Sequence, residues 1–286
     1  MKEVDFVSVG HITHDVVLES YLLGGPCYYS ALAAKNLGKK VGMVTNVGKD
    51  FHEERFLAGL DLRYQVGEHT TTFKNIYAEQ RKQVIRGLAD PISAEQIPAA
   101  WQLVPIVYIC PVANEIEPRL VKLFRNSLVG IGAQGWMRSW DKKGEVHQQR
   151  WQDFKILPYS DVIVFSEEDI SDFGEGIIED YIPLTKIVIL TRGKRGSTLF
   201  HEGQKHDIQA YPTKEVEPTG AGDVFGSAFL IEYQRTRDPI RSAQFASVAA
   251  SFVVEKEGSE GMPLEWQVPE RLTLYNRLFD LQARAG

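Results

Sequence analysis

Cysteine is nearly missing from this chain of 286 residues, since Cys27 and Cys110 are the only two and neither belongs to a C-x-x-C pair. That excludes a disulfide framework and a cysteine-rich zinc site, and a cytoplasmic protein is the expectation. Long apolar runs are missing too, and none approaches the length of a membrane span, so no membrane partner is expected. The opening residues, MKEVDFVSVG, place acids inside their first apolar run, which argues against a signal peptide. Positive charge is not in surplus: 32 Lys and Arg against 38 Asp and Glu leave a net −6, and no global field invites a nucleic-acid backbone. Internal repeats, low-complexity tracts and long linkers are likewise absent.

What is present is the composition of an ordinary globular protein, 43% hydrophobic, 24% charged and 10% aromatic, too apolar for disorder. A chain of this size can bury about three quarters of its unfolded surface. Residues 1–286 therefore read as one large domain, with at most a small appendage.

Glycine punctuates the pattern. VDFVSV (4–9) reads as a buried strand that Gly10 ends before HITHD; PCYYSALAAKNLG, after Gly24 and Gly25, reads as a helix closing at Gly38; VGMVTNVG (41–48) reads as the next strand. Strand, glycine turn, helix and strand make a βαβ unit and imply a parallel sheet. Further strands are predicted at 106–110, 128–133, 161–166 and 186–191, with a β-rich middle at 70–87. Helices are predicted at 116–126, 221–236 and 240–256, with acidic helical material between 167 and 185. The whole is a doubly wound α/β pattern, with ligands expected outside the carboxyl ends of the strands.

The sharpest chemical signal is Glu217-Pro218-Thr219-Gly220-Ala221-Gly222-Asp223, small residues and one acid opening an apolar helix. Backbone N–H groups at such a helix start, left uncovered by side chains, form an anion site suited to phosphate. Asp223 at the same turn could accept the proton of a hydroxyl attacking that phosphate. The plain alternative is a tight turn with an acid capping the helix. A dinucleotide-binding reading fails at the first strand, because GHITHD lacks G-x-G-x-x-G.

With these residues in view, the chain resembles the ribokinase or PfkB family of carbohydrate and nucleoside kinases nearly end to end. TGAGDVFGSAF (219–229) resembles the family's second signature, which implies Asp223 as catalytic base and an anion hole around Gly220, Ala221 and Gly222. GHITHD followed by GGPCYYSA (24–31) resembles its substrate site, implying that Asp15 binds acceptor hydroxyls and that Gly24 and Gly25 let the backbone approach the acceptor. Tyr29 stands where many sugar kinases have asparagine. SEED (166–169) resembles the N-x-x-E motif with both named positions changed, which implies Ser166 near the phosphates and Asp169 at magnesium; a helix cap would look the same. TRGKRG (191–196) implies Thr191, Gly193 and Gly196 beside the nucleotide, and the loop after 242–258 implies Gly258 near adenine. AQGWMRSW (133–140) resembles the QG-x-x-R pattern of branches that include inositol kinases, with TTFKNIY (71–77) and RGLADPI (86–92) in support, so Gln134 and Arg138 would face the acceptor or the γ-phosphate.

The resemblance thus implies a ribokinase-like three-layer αβα sandwich, ATP with Mg2+ as donor, and a small polyol as acceptor, most simply myo-inositol or a related cyclitol. A sugar or nucleoside acceptor is the alternative, and a requirement for a monovalent cation stays open. A non-catalytic binding homologue is the rival from another class; it is motivated by Ser166, Asp169 and Tyr29 and opposed by Asp223 with its glycines. Only eight residues separate Asp15 from Gly24, where sugar kinases usually insert lid strands. A reduced lid, or one built from 70–87 alone, is therefore expected, on a monomer or homodimer.

Overall fold

Strand β1 (Phe6–Val9) is buried along its whole length, as a central strand of a parallel sheet must be. It belongs to a computed structural model that describes residues 3–17, 20–77 and 81–285. On one side β1 pairs in parallel with β4 (Val41–Gly48), Phe6 opposite Val41, and β4 with β5 (Asp61–Gly67). On the other side follow β8 (Ile106–Ile109), β9 (Leu128–Gly132), β12 (Val162–Ser166) and β13 (Ile187–Thr191), all parallel. The antiparallel strands β14 (Ser197–His201) and β15 (Gln204–Ile208) close that edge of the nine-stranded sheet. Chain order reverses between β1 and β8, so the crevice at their carboxyl ends is the place where this architecture takes a ligand.

One face of the sheet carries helices. Helix α1 (Pro26–Asn36) starts at Gly25, whose φ of 95° suits glycine, and has proline at its first position, where no N–H is needed. Helices α3 (Ala221–Thr236), α4 (Pro239–Val253) and α5 (Gln267–Ala285) share this layer, and their apolar sides join Phe6, Tyr108, Val164 and Ile189 of the strands in one core. The other face is covered by 3-10 turns, the single turn α2 (Ile178–Tyr181) and stacked aromatics, with Trp136 and Trp151 centred 4.8 Å apart. The helix expected over 116–126 is thus corrected to one 3-10 turn, Pro118–Leu123. Pro118 blocks extension backward, and only a few residues remain before β9 begins. Most of the acidic helical material expected between 167 and 185 is likewise short turns.

A second sheet of four strands, ordered β3-β2-β6-β7, stands at the crevice. Strands β2 (Thr13–Val17) and β3 (Ser20–Gly24) form a hairpin, β6 (Thr71–Tyr77) pairs in parallel with β2, and β7 (Arg81–Gly87) pairs with β6. The β-rich 70–87 region thus supplies two of the four strands. The short interval after Asp15 is itself enough for half of the sheet. A two-stranded sheet, β10 (Arg138–Trp140) with β11 (Val146–Gln148), packs beneath it, where Trp140 and Val146 meet Phe73 of β6. Among the described residues no helix is long and apolar enough to cross a membrane.

Candidate active site

One side of the crevice is the exit of β1. Thr13 faces Gly24 across the β2–β3 hairpin, and a Cβ on Gly24 would stand 2.5 Å from Oδ2 of Asp15. A side chain at Gly24 would have to displace that carboxylate. Gly25 is constrained too, since a Cβ there would lie 2.7 Å from the His11 carbonyl. Buried His11 ties this loop to the second sheet: Nδ1 lies 2.7 Å from Thr71 Oγ1 and Nε2 lies 3.0 Å from the Asp90 carbonyl. Glu115, also buried, accepts the N–H groups of His11 (2.9 Å), Val112 (3.0 Å) and Ala113 (2.7 Å), joining the exits of β1 and β8. Neither His11 nor Glu115 stood out in the sequence, because one buried polar residue in a loop carries no periodic or spacing signal.

The chemical centre is the start of α3. Gly220 caps it in the left-handed conformation, φ 82°, and a Cβ there would collide with the ring of Tyr29 from α1. The Ala221 amide turns back to the Pro218 carbonyl at 3.2 Å. Among the described residues the amides of Gly220 and Gly222 have no such acceptor, and open space surrounds the α-carbon of Gly222. Of the three amides expected to face an anion, two are thus available and one is committed to the turn.

Asp223 follows, half-buried, in the field of Asp169 and Arg138. Burial first, and then the like charge of Asp169, push its carboxyl up to about 7, while Arg138 pulls the other way. Arg138 opens β10, with Nη1 donating to the Val112 carbonyl at 3.3 Å and its guanidinium 5.8 Å from the centre of the Phe73 ring. Tyr29 lies between the two halves. Burial, and then the charges of Asp15, Glu217 and Asp223, raise its phenol far above the usual tyrosine range, so it stays a neutral hydroxyl in the field of three carboxylates. Gln134 is half-buried in the 3-10 turn Ala133–Met137 that delivers Arg138.

The other wall is built from the exits of β12 and β13. Ser166 and Asp169 bind each other, Oδ2 accepting both the N–H and the Oγ–H of Ser166 at 2.8 Å. That is the capping turn that the sequence allowed as one of two readings. It leaves the second carboxylate oxygen uncommitted to this turn and keeps Asp169 within electrostatic reach of Asp223. Among the described residues no group of three or more His, Cys, Asp or Glu side chains gathers to hold a metal. Magnesium does not need one, because it binds through one or two carboxylates together with substrate phosphates and water. Two carboxylates in mutual repulsion are a fitting place for such a cation.

Thr191 pairs with Ser166 across the sheet, and Gly193 (φ 52°) and Gly196 (φ 87°) shape the turn after it. A Cβ on Gly196 would collide with the Ile208 carbonyl, while space around Gly193 is open. Gly258, φ 54°, donates its N–H to Oε2 of Glu217 at 2.7 Å, fastening the loop after α4 to the turn before α3. Thr191, Gly193 and Gly196 thus lie at the exit of β13, Gly258 beside the turn before α3, and Asp15 and Gly24 on the β2–β3 hairpin.

A model of the pfkB carbohydrate kinase family matches residues 14–266. A 5-dehydro-2-deoxygluconokinase of Clostridium beijerinckii is 35% identical over 92% of this chain and 91% of its own. A cytidine kinase of Thermococcus kodakarensis is 25% identical over 89% of this chain and 98% of its own. Among solved structures, a pyrophosphate-dependent kinase of the ribokinase family, complexed with a pyrophosphate analog and myo-inositol, superposes with a TM-score of 0.77 over 93% of this chain and 99% of its own, at 20% identity.

Proposed function

Since the chain belongs to the pfkB family of carbohydrate kinases and is a phosphotransferase of ribokinase-like fold, we propose that it moves the γ-phosphate of ATP onto a hydroxyl of a small polyol, myo-inositol or a related cyclitol. The observation that carries this reading is Asp223, half-buried beside two unclaimed amides and raised to about 7. A carboxylate of that basicity accepts a proton near neutral pH, as a general base must. Asp223 takes the proton of the acceptor hydroxyl, the freed oxygen bonds to the γ-phosphorus, the bond to the bridging oxygen breaks, and ADP leaves. The Gly220 and Gly222 amides, with Ala221 shaping the turn, balance the charge on the transferred group.

On the acceptor side Asp15 and the Tyr29 hydroxyl offer polar groups to a ring of hydroxyls, with Gln134 and Arg138 closing the pocket from β9 and β10. Ser166, Thr191, Gly193, Gly196 and Gly258 hold the nucleotide. Asp169 would hold Mg2+, which supplies charge neutralisation to the donor phosphates. Residues 1–286 act as one kinase domain, with the four-stranded sheet as its lid.

A second reading has a specific support: the relative at 35% identity is a 5-dehydro-2-deoxygluconokinase, and Arg138 could meet the carboxylate of such an acceptor. An ADP-release assay with ATP and Mg2+ over cyclitols, hexoses, 5-dehydro-2-deoxygluconate and cytidine, with Asp223→Asn as the blank, separates the readings. Release with a cyclitol alone upholds the first, and release with the acid alone upholds the second. Silence with ATP but acceptor-dependent release of orthophosphate from pyrophosphate overturns the donor, and silence throughout overturns the reading.

A further inference from the structure

Tyr108 lies in β8 on the face that α3 covers, and it is among the largest fully buried side chains of the protein. Two glycines make room for its hydroxyl. A Cβ on Gly132, at the end of β9, would stand 2.7 Å from the Tyr108 oxygen, and one on Gly226 of α3 would collide with that oxygen. Gly226 follows Asp223 by three residues, just under one helical turn, so the phenol meets α3 one turn from Asp223, whose charge acts on it. A larger residue at either glycine would have filled this space.

A hydroxyl at this depth is costly unless a group at the site pairs with it. The groups acting on it from the packed elements are Asp223 of α3, Cys110 just beyond its own strand, and Asp169 from the turn after β12. Burial first, and then these acids, raise the phenol well above its usual range. Tyr108 therefore stays protonated and meets an anion only as a donor.

We propose that Tyr108 is a positioning residue for Asp223: its hydroxyl, seated in the gaps at Gly132 and Gly226, donates to the Asp223 carboxylate directly or through one water and turns that carboxylate toward the acceptor. The inference rests on the reading of Asp223 as base. A donor to a charged group contributes enough that its loss lowers turnover about tenfold or more.

The test is Tyr108→Phe in the full-length protein, with ATP, Mg2+ and whichever acceptor of the panel is phosphorylated. We expect kcat to fall about tenfold or more while the KM values for acceptor and ATP stay within about twofold. A merely structural role would lower the melting temperature without this split. Unchanged kcat, or a fall explained by a raised KM, overturns the inference. Should Tyr108→Phe fail to fold, Gly132→Ala presses a methyl onto the same hydroxyl without touching Asp223; the same loss of kcat supports the inference, and full kcat overturns it. Asp223→Asn separates the two levels. If that variant keeps full kcat the base assignment falls, whereas an inactive Asp223→Asn beside a fully active Tyr108→Phe removes only Tyr108.

Discussion

Replacing Asp223 by asparagine should stabilise the protein while abolishing its turnover, and the pH dependence of the gain follows from the site. The carboxyl is raised from 3.8 to about 7 by burial and by Asp169, so the folded protein binds a proton that the unfolded chain has already released between those values. Stability from this group is intact below about pH 4, falls as pH rises, and is fully lost above about 7. The whole shift corresponds to about 4 kcal/mol, and water reaching a half-buried carboxylate brings the expected gain of Asp223→Asn at pH 8 to about 2–4 kcal/mol. For a chain of this size that is a rise in melting temperature of roughly 4–12 °C. The measurement is a pair of thermal melts, wild type and variant, from pH 4 to pH 8 without divalent cation. A variant that melts no higher than wild type at pH 8, or by an increment independent of pH, would refute the electrostatic account of the site. Added Mg2+ should narrow the difference at pH 8, because a cation relieves the same repulsion that asparagine removes.

Gly24→Ala puts a methyl 2.5 Å from the Asp15 carboxylate and should raise the acceptor KM by about tenfold or more, with little change in ATP KM; steady-state kinetics with both substrates varied would detect a shift in the wrong one. Arg138→Met removes the cation that opposes burial at Asp223, so the carboxyl rises further and the acidic limb of the kcat/KM profile should move to higher pH. A limb that stays in place or moves to lower pH contradicts the assigned charge contact.

Much of the fold was legible because β-rich runs bounded by glycine mark β1, β4, β9, β12 and β13, and the small-residue helix starts mark α1 and α3. Three features were hidden. The face made of 3-10 turns has apolar residues at spacings that suit a helix over short stretches, and only Pro118 and the short distance to β9 tell otherwise. The β2–β3 hairpin was obscured because HDVVLESYLLG lacks both clean alternation and a glycine at its turn. Helix α5 drew no notice either, since it is polar along most of its length and buries residues such as Val268 and Tyr275. At the site, Asp15, Gly24, Tyr29, Gly220 and Asp223 were legible through their glycines, and the structure gives each glycine a steric reason: a carboxylate at Gly24, an aromatic ring at Gly220.

On the proposed reading, those same contacts couple the acceptor and phosphoryl halves of the crevice. Tyr29 touches the turn that presents the Gly220 amide, and it shares the fields of Asp15 and Asp223, so a movement of α1 that adjusts the acceptor carboxylate also moves the floor of the anion site. The shape of the acceptor pocket and the geometry of phosphoryl transfer therefore depend on one side chain, and a substitution at Tyr29 should change acceptor KM and kcat together. Gly24→Ala, whose clash is confined to Asp15, should act chiefly on acceptor KM.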